Sequence, residues 1–564
     1  MGLKPKQYED NVVNTFNSSN NSHKAIDTQL PHSNASISPF DDELDSNLKT
    51  SLKSTGLLLG GTIFDTILGL ICTILIARFF SVGEYGIYSL TVFLIVFFYG
   101  ISGLGIFEAN SRFISFYRGK NDYKKVQGVI KTSFVLVGIS STLIAITLFF
   151  LSDFIAVTVF GINDLAIVMR IFVISVPLWA ITKTIVSVFR GFESTKEKVY
   201  FTFISLQILK VIFFISVIYL GLTLEYIFIG FLFAVLITFL IAMMYYYKNY
   251  KKFFKKDIDT DKSNWCFKEM LSFSWPLIFS GLAWFLISGF DKIMLGILTS
   301  EVEVGYYNGA TPIARHLIFF YTITVFIFQP IASKLYAQKN IQELKRYYQV
   351  LTKWIFTLAF PFIMVLLLFP ETIITLFYGS KYIIASQALQ LMTIGIMIYL
   401  LLALSAEVIT VLGKTKIILL FTLIGGGINI ILNYLLIPLY GINGAAFATM
   451  TSFIIINGSL GIYLYKTTRI HPFPRNTIVP VIISLGILCI CYMFILVYEL
   501  NALSLFMKIS ICFLLIILYF IIVLKTRSYD KEDIQLFMYL EKKMGIRFKP
   551  IFNIIRKFIK VFIS

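Results

Sequence analysis

The sequence predicts an all-α polytopic membrane protein of about 14 transmembrane helices, built as two same-orientation six-helix lobes plus two extra C-terminal helices. Three observations lead there. The chain is 57% hydrophobic and only 14% charged, with a mean hydropathy of +0.81, whereas a soluble domain sits near half apolar and a quarter charged. Its apolar residues gather into runs of about 20, the length that crosses ~30 Å of hydrocarbon. The second half also repeats the first at an offset of 219 or 220 residues.

The repeat is carried by short matches. Thr195-Lys196, followed by Phe201-Thr202-Phe203-Ile204, returns as Thr415-Lys416 followed by Phe421-Thr422-Leu423-Ile424. Gly86-Ile87-Tyr88 returns as Gly305-Tyr306-Tyr307, Lys120-Asn121 as Lys339-Asn340, and Leu220-Gly221 as Tyr440-Gly441. Each match is weak alone, and their common offset carries the argument. A membrane protein of two matching halves holds its site between them and works by moving one against the other.

Taken in order, residues 1–54 are polar and Asn/Ser-rich, with the acidic run Asp41-Asp42-Glu43, and read as a disordered cytosolic tail. They lack the basic start, apolar core and cleavage site of a signal peptide. Apolar runs follow at 56–80, 86–108, 127–151, 165–189, 199–220 and 224–247, giving an N-lobe over 55–250. A basic cytosolic linker, 251–268, leads to a C-lobe over 269–466, with runs at 270–298, 304–332, 348–369, 385–412, 416–438 and 443–465. Pro438 ends the eleventh run because it cannot continue a helix, and Gly441 permits the tight turn after it. Gly444-Ala445-Ala446 gives the twelfth a small face for close packing. Two runs outside the repeat, 477–498 and 504–524, fall within 467–526. In the last part, 527–564, Lys549, Arg556, Lys557 and Lys560 interleave with Ile and Phe. That pattern reads as an amphipathic cytosolic helix drawn to anionic lipid.

Loop charge sets the orientation. The loops after even-numbered runs are basic: Arg112, Arg118 and Lys120 after the second, Arg190, Lys196 and Lys198 after the fourth, and Lys248, Lys251, Lys252, Lys255 and Lys256 after the sixth. The same holds for Lys334, Lys339 and Lys345, for Lys414 and Lys416, and for Lys466, Arg469 and Arg475. The odd loops hold Glu84, Asp153, Asp164, Glu225, Glu301, Glu303, Glu371 and Glu499, with Lys381 as the basic exception. The positive-inside rule therefore puts both termini in the cytosol of a multi-pass plasma-membrane protein. A net charge of +18 scattered over so many loops does not make a nucleic-acid surface.

Several chemistries are excluded. No Gly-x-x-x-x-Gly-Lys-Ser/Thr loop occurs, so ATP hydrolysis on this chain is not expected. The five cysteines, Cys72, Cys266, Cys489, Cys491 and Cys512, do not form a metal or disulfide framework. No cofactor, metal or enzymatic activity is expected.

Three stretches resemble the polysaccharide-type branch of the flippase superfamily that includes multidrug-and-toxin extrusion proteins and lipid II flippases. The first is Phe273-Ser274-Trp275-Pro276-Leu277, with Gly289-Phe290-Asp291-Lys292-Ile293-Met294-Leu295-Gly296 and Val304-Gly305-Tyr306-Tyr307-Asn308. The second is Asn429-Ile430-Ile431-Leu432-Asn433 with Leu436-Ile437-Pro438-Leu439-Tyr440-Gly441-Ile442-Asn443-Gly444-Ala445-Ala446. The third is Ala77-Arg78-Phe79-Phe80, Gly83-Glu84-Tyr85-Gly86-Ile87-Tyr88 and Gly103-Leu104-Gly105. The resemblance covers roughly residues 55–524 and implies export of a lipid-linked oligosaccharide by alternating access of two lobes. It also implies as partners the membrane lipids and glycan-assembly enzymes, with a monomer as the functional unit.

Charges inside apolar runs are the candidate site residues, since each costs at least ~2.5–3.5 kcal/mol at a helix centre. Lys183, Lys210 and Arg315 read as substrate-binding cations. A lipid phosphate or pyrophosphate needs such groups to offset its desolvation, and Arg adds paired donors matched to phosphate oxygens. Asp65, Asp291, Glu407 and His316 are ion or gating candidates. Asp65 reads equally as a cation site and as a partner for one of the bases, and His316 equally as a packed residue and a proton carrier. Arg78, Arg170, Lys292 and Glu407 lie close enough to helix ends to snorkel. Glu108 and Arg112, at i, i+4, read as a surface pair.

The leading function is a flippase for a lipid-linked oligosaccharide. A small-molecule exporter of the multidrug type is the alternative, disfavoured for cationic drugs by the mid-depth bases. A membrane glycan polymerase would need a large outer loop or an acidic metal motif. Lys, Ile and Asn richness suggests an AT-rich prokaryotic genome.

The orientation is testable by thiol labelling of intact cells. Asp153→Cys, Glu225→Cys and Glu371→Cys are expected to react with an impermeant reagent from outside, and Lys252→Cys is not. Reaction at position 252 would invert the topology.

Overall fold

The computed structural model describes residues 39–253, 265–497 and 504–525. Every regular element among them is helical. The helices are α1 (Pro39–Phe79), α2 (Val82–Ser102), α3 (Ile106–Gly119), α4 (Tyr123–Asp153), α5 (Asn163–Val173), α6 (Ser175–Gly191), α7 (Leu206–Tyr219) and α8 (Leu224–Phe253). Then come α9 (Phe267–Leu298), α10 (Glu301–Arg315), α11 (Phe319–Ala337), α12 (Ile341–Leu368), α13 (Pro370–Tyr378), α14 (Ser386–Leu402), α15 (Leu404–Val411), α16 (Thr415–Thr468), α17 (Arg475–Val497) and α18 (Leu505–Lys525).

Twelve helices among the described residues are long and apolar enough to cross a membrane. The fourteen apolar runs map onto these twelve plus α9, with α16 divided at Gly441, where φ is 53° and ψ −130°. The count of fourteen is our reading of that mapping. The chain is thus a multi-pass membrane protein, and exposed Ile, Leu and Phe cover much of its surface, as a lipid-facing bundle requires.

One expectation needs correcting at the N-terminal end. Helix α1 begins at Pro39, within the stretch read as a disordered tail. Residues 1–38, the centre of the basic linker and the C-terminal tail lie outside the described residues.

The bundle has an acidic end, which carries Glu84, Glu301, Glu303 and Glu371, and an opposite, basic end. At the acidic end α2 packs against α10. The contact is made by the matched glycines. A Cβ on Gly86 would stand 1.8 Å from the Glu301 carbonyl oxygen, and one on Gly305 would stand 2.1 Å from that of Val82. Each glycine lies on the residue four places before its counterpart. The two halves therefore meet as a symmetric dimer would, about a pseudo-two-fold axis between α2 and α10. Bare backbone on both sides allows an approach that any side chain would block.

Both contacting segments break on their way across. Between α2 and α3 the chain passes through Leu104 and Gly105 with φ of 48° and 68°. A Cβ on Gly105 would fall 2.6 Å from the Ser274 carbonyl oxygen. Between α10 and α11 stands a 3-10 turn, His316–Ile318, just past Pro312, which supplies no N–H. Discontinuous helices at comparable depth in the two halves leave backbone groups and side chains free to face a cavity.

At the basic end α3 packs on α4, α6 and the start of α9 instead. The Tyr117 hydroxyl donates to Glu269 at 2.6 Å, the Arg112 guanidinium lies 4.2 Å from the Phe273 ring centre, and the Cys266 N–H donates to Thr132 at 3.1 Å. Helix α9 thus starts against the N-lobe and ends against α16 in the C-lobe. The boundary read at 269 does not coincide with the change of packing partner. Helices α17 and α18 dock on α12 through an apolar patch of Phe356, Phe360, Met364 and Tyr519, whose hydroxyl donates to the Thr357 carbonyl at 3.3 Å.

The glycine contact generates a prediction. Gly86→Val is expected to force α2 from α10 and to lower the unfolding temperature in detergent, by an overpacking cost of about 1–3 kcal/mol. Gly138→Val, where nothing lies within 4 Å of the added Cβ, serves as the control. Equal melting of the two variants would contradict the contact.

Candidate functional site

The charged residues picked out by depth do not gather in one place. They form four groups, two in each lobe.

The most fully built is around Asp291 in α9. This side chain is 1% exposed, yet it is surrounded by donors. Asn433 donates to Oδ1 at 2.7 Å, and Tyr307 and Thr449 donate to Oδ2 at 2.8 and 2.7 Å. Asn433 also donates to Asn429 Oδ1 at 3.0 Å, one turn earlier. Asn433 Oδ1 is buried with no hydrogen-bond partner. These residues come from α9, α10 and both halves of α16, so the carboxylate ties the C-lobe together. One carboxylate with amide and hydroxyl oxygens is a hard-oxygen set of single negative charge. Its chemistry suits a monovalent cation or a proton, since among the described residues no three His, Cys, Asp or Glu side chains converge as a metal site.

Next to it, Lys292 corrects an expectation. It does not snorkel to an interface. Its Nζ donates to Asn308 Oδ1 at 2.6 Å and to Ser89 Oγ at 3.1 Å. Ser89 belongs to α2, so Lys292 bridges the lobes just inside the glycine contact. Tyr85 of α2 adds a bond from its hydroxyl to the Asn308 carbonyl at 3.3 Å. Counting residues put Lys292 near a helix end, but that end is buried under the facing lobe. Arg315, at the break after α10, is close enough to act electrostatically on Lys292, and its Nε is buried without a hydrogen-bond partner. His316 is held locally, with Nδ1 against the Pro312 carbonyl in the same turn. That favours its packed reading.

In the N-lobe, Asp65 of α1 accepts from Gln207 Nε2 at 2.6 Å. Lys210, one turn further along α7, acts electrostatically on both Asp65 and Cys72, and its Nζ lies 5.3 Å from the Phe231 ring centre. The fourth group lies nearer the basic end. Lys183, 6.0 Å from the Phe107 ring centre, is coupled to Lys198, Glu108 and Arg190. Glu108 pairs with Arg190 at 3.0 Å, whereas Arg112 turns to Phe273. The expected Glu108–Arg112 pair is therefore not formed, because the interhelical partner is better placed.

Two residues stand apart. Glu407 accepts from Tyr321 at 2.6 Å and from Gln329 at 2.7 Å. Arg170 pairs with Asp153 and donates to Ser152 Oγ at 3.0 Å, as a snorkelling residue at the acidic end does.

Sequence reasoning missed Ser89, Asn308, Tyr307, Thr449 and Gln207, whose uncharged side chains carry no cost high enough to mark them. Asn429 and Asn433 could have been found. Two amides one turn apart in an apolar run share a face and need a partner.

Comparison with known proteins places this arrangement. Residues 51–336 match the family described as polysaccharide biosynthesis protein, and residues 276–435 match the MatE family. An uncharacterized membrane protein of Methanocaldococcus jannaschii is 28% identical over 178 residues, 31% of this chain and 35% of that protein. A probable low-salt glycan biosynthesis flippase, Agl15, of Haloferax volcanii is 25% identical over 195 residues, 33% of this chain and 40% of that protein. The aligned part thus spans well under half of these relatives' lengths. Among solved structures, the lipid II flippase MurJ in an inward closed conformation matches with a TM-score of 0.57 at 20% identity, covering 82% of this chain and 97% of that one.

The Asp291 group yields a test by ion linkage. Na⁺, exchanged for choline at constant ionic strength, is expected to raise the unfolding temperature of the wild type by about 2–4 °C per kcal/mol of linkage. Asp291→Asn should lose that response. The same rise in both proteins would remove Asp291 from ion binding.

Proposed function

The chain belongs to the polysaccharide biosynthesis protein family, and on that premise we propose that it carries a lipid-linked oligosaccharide across the plasma membrane. The carrier is a polyprenyl phosphate or pyrophosphate, and the direction is from the inner to the outer leaflet. The product feeds the assembly of a surface polysaccharide or a glycoprotein glycan. The acidic end faces outward, in keeping with the charge of the loops, and the source is prokaryotic.

One observation carries the reading. Arg315, at the break after α10, acts electrostatically on Lys292, which bridges the lobes, and the carboxylate next to Lys292, Asp291, is held by three donors. Two cations against a single carboxylate leave a surplus of positive charge in this region that an anionic head can neutralise. Phosphate oxygens would take charge-assisted bonds from both groups, and the buried Nε of Arg315 would gain a partner. Lys183 with Arg190 and Lys198 forms a second positive zone nearer the basic end, suited to first contact with the head. Lys210, engaged with Asp65, is a weaker candidate for direct contact than its depth alone suggests.

An inside-negative potential helps, since outward passage of one negative charge is worth ~2.3 kcal/mol per 100 mV. A cation at Asp291 would add a second driving force. The name of the Haloferax relative supports a glycan-linked substrate. The MatE match supports the alternative, a small-molecule exporter of the multidrug type, but the paired cations disfavour cationic drugs.

The reading is tested by binding. In nanodiscs, native mass spectrometry is expected to show a polyprenyl pyrophosphate oligosaccharide bound to the wild type. Arg315→Gln and Lys292→Gln should each weaken it about 10- to 100-fold, the worth of one charge-assisted bond. Unchanged affinity in both variants would refute the cationic site, and a preference for cationic dyes over the glycolipid would favour the alternative.

A further inference from the structure

We propose that Arg78 and Lys381 form a reciprocal latch that holds the acidic end shut, and that its release belongs to the transport stroke. The proposal rests on the alternating-access reading above. Arg78 ends α1 in the N-lobe, and Lys381 follows α13 in the C-lobe, in the turn Ser380–Ala385. Each cation reaches across to the other lobe's helix end. Arg78 Nε donates to the Phe377 carbonyl at 2.9 Å, and its Nη2 donates to the carbonyl of Leu376. Lys381 Nζ donates to the Phe80 carbonyl and, at 3.4 Å, to that of Arg78 itself. Partners lie some 300 residues apart in the chain, and all four acceptors are carbonyls at the C-terminal ends of α1 and α13. These oxygens have no intrahelical donor and carry the negative end of the helix dipole, so a cation is the matched cap.

Three features mark this as a latch rather than fixed packing. Neither side chain enters an ion pair among the described residues. The nearest acid acting on Lys381, Glu84, is already taken by the N–H and hydroxyl of Ser81, at 2.8 and 2.7 Å. Both cations are also exposed. When the lobes part, donors and carbonyls alike can turn to water, so the bonds break without stranding a buried charge. Beneath them, the Tyr85 ring of the N-lobe packs against Tyr378 at a tilt and edge-on against Tyr382 of the C-lobe, with ring centres 6.2 and 5.9 Å apart. These three rings are buried completely. Outward opening must pull Tyr85 from the other two, and the latch spans the seam above them.

The test is the distance between the acidic-end turns of the two lobes. Leu220→Cys and Tyr440→Cys occupy matched, exposed positions away from the latch. They would be spin-labelled in a full-length protein whose five native cysteines are replaced, and measured in nanodiscs by pulsed electron resonance. The wild type is expected to give a short and a long component. Arg78→Gln and Lys381→Gln should each raise the ratio of long to short about five- to tenfold. The double variant should raise it by the product, because the two halves of the latch are separate bonds. Lys381→Arg keeps a cation and should stay near the wild-type ratio, which separates loss of the latch from general damage. Two wild-type components with unchanged weights in both Gln variants would overturn the latch. A single wild-type component would instead overturn alternating access.

Discussion

The close approach of α2 and α10 through Gly86 and Gly305 is the contact on which the rest of the structure depends. With no side chain on either glycine, each backbone reaches the other's carbonyls, and the two lobes are pinned at the acidic end. Lys292 can then reach Ser89, Tyr85 can reach Asn308, and Arg78 and Lys381 can exchange helix ends. The same contact fixes where the lobes are not joined. Beyond their breaks, α3 turns to α4, α6 and α9, and α11 turns to α12 and α15. The two segments touch at the acidic end and take different partners beyond their breaks, with α9 carrying contacts to α3 at the basic end.

Electrostatics sorts the intramembrane charges by what each already has. Asp291 is satisfied by neutral donors, so it is tolerated as a buried carboxylate and remains able to attract a cation. Lys292 is held by neutral acceptors, and Arg315 keeps one N–H without any. In the N-lobe Arg190 pairs with Glu108, and Asp65 accepts from Gln207 with Lys210 acting on it electrostatically. The lobes share a fold by repetition but not a charge pattern: Lys292 bridges them through neutral acceptors, while Arg190 is held in an ion pair within the N-lobe.

Much of this was legible in the sequence. Run length and hydropathy located the membrane segments, the 219–220 offset located the pseudo-axis, and Gly86 and Gly305 were already the matched pair. Gly441 was legible as a turn, and its φ of 53° agrees. Depth along a helix was legible too, but depth does not say what lies opposite. Lys292 looked like a snorkelling residue because the sequence holds no sign that α2 covers that end of α9. Glu108 looked paired with Arg112 because i, i+4 neighbours are the only partners a sequence displays. Lys183, Lys210 and Arg315 looked like one site because all three are deep, although only folding decides which face each helix turns inward.

The step to be measured is the proposed outward movement of an anionic glycolipid between the lobes. Its most direct measurement uses proteoliposomes carrying a polyprenyl pyrophosphate oligosaccharide, with an impermeant glycosidase added outside after a K⁺-diffusion potential is imposed. Wild-type protein is expected to expose the inner-leaflet glycan well beyond the half accessible at the start, faster with the interior negative. Arg315→Gln vesicles should stay near that starting fraction. Exposure at the same rate in protein-free vesicles, or in wild-type and Arg315→Gln vesicles alike, would contradict it.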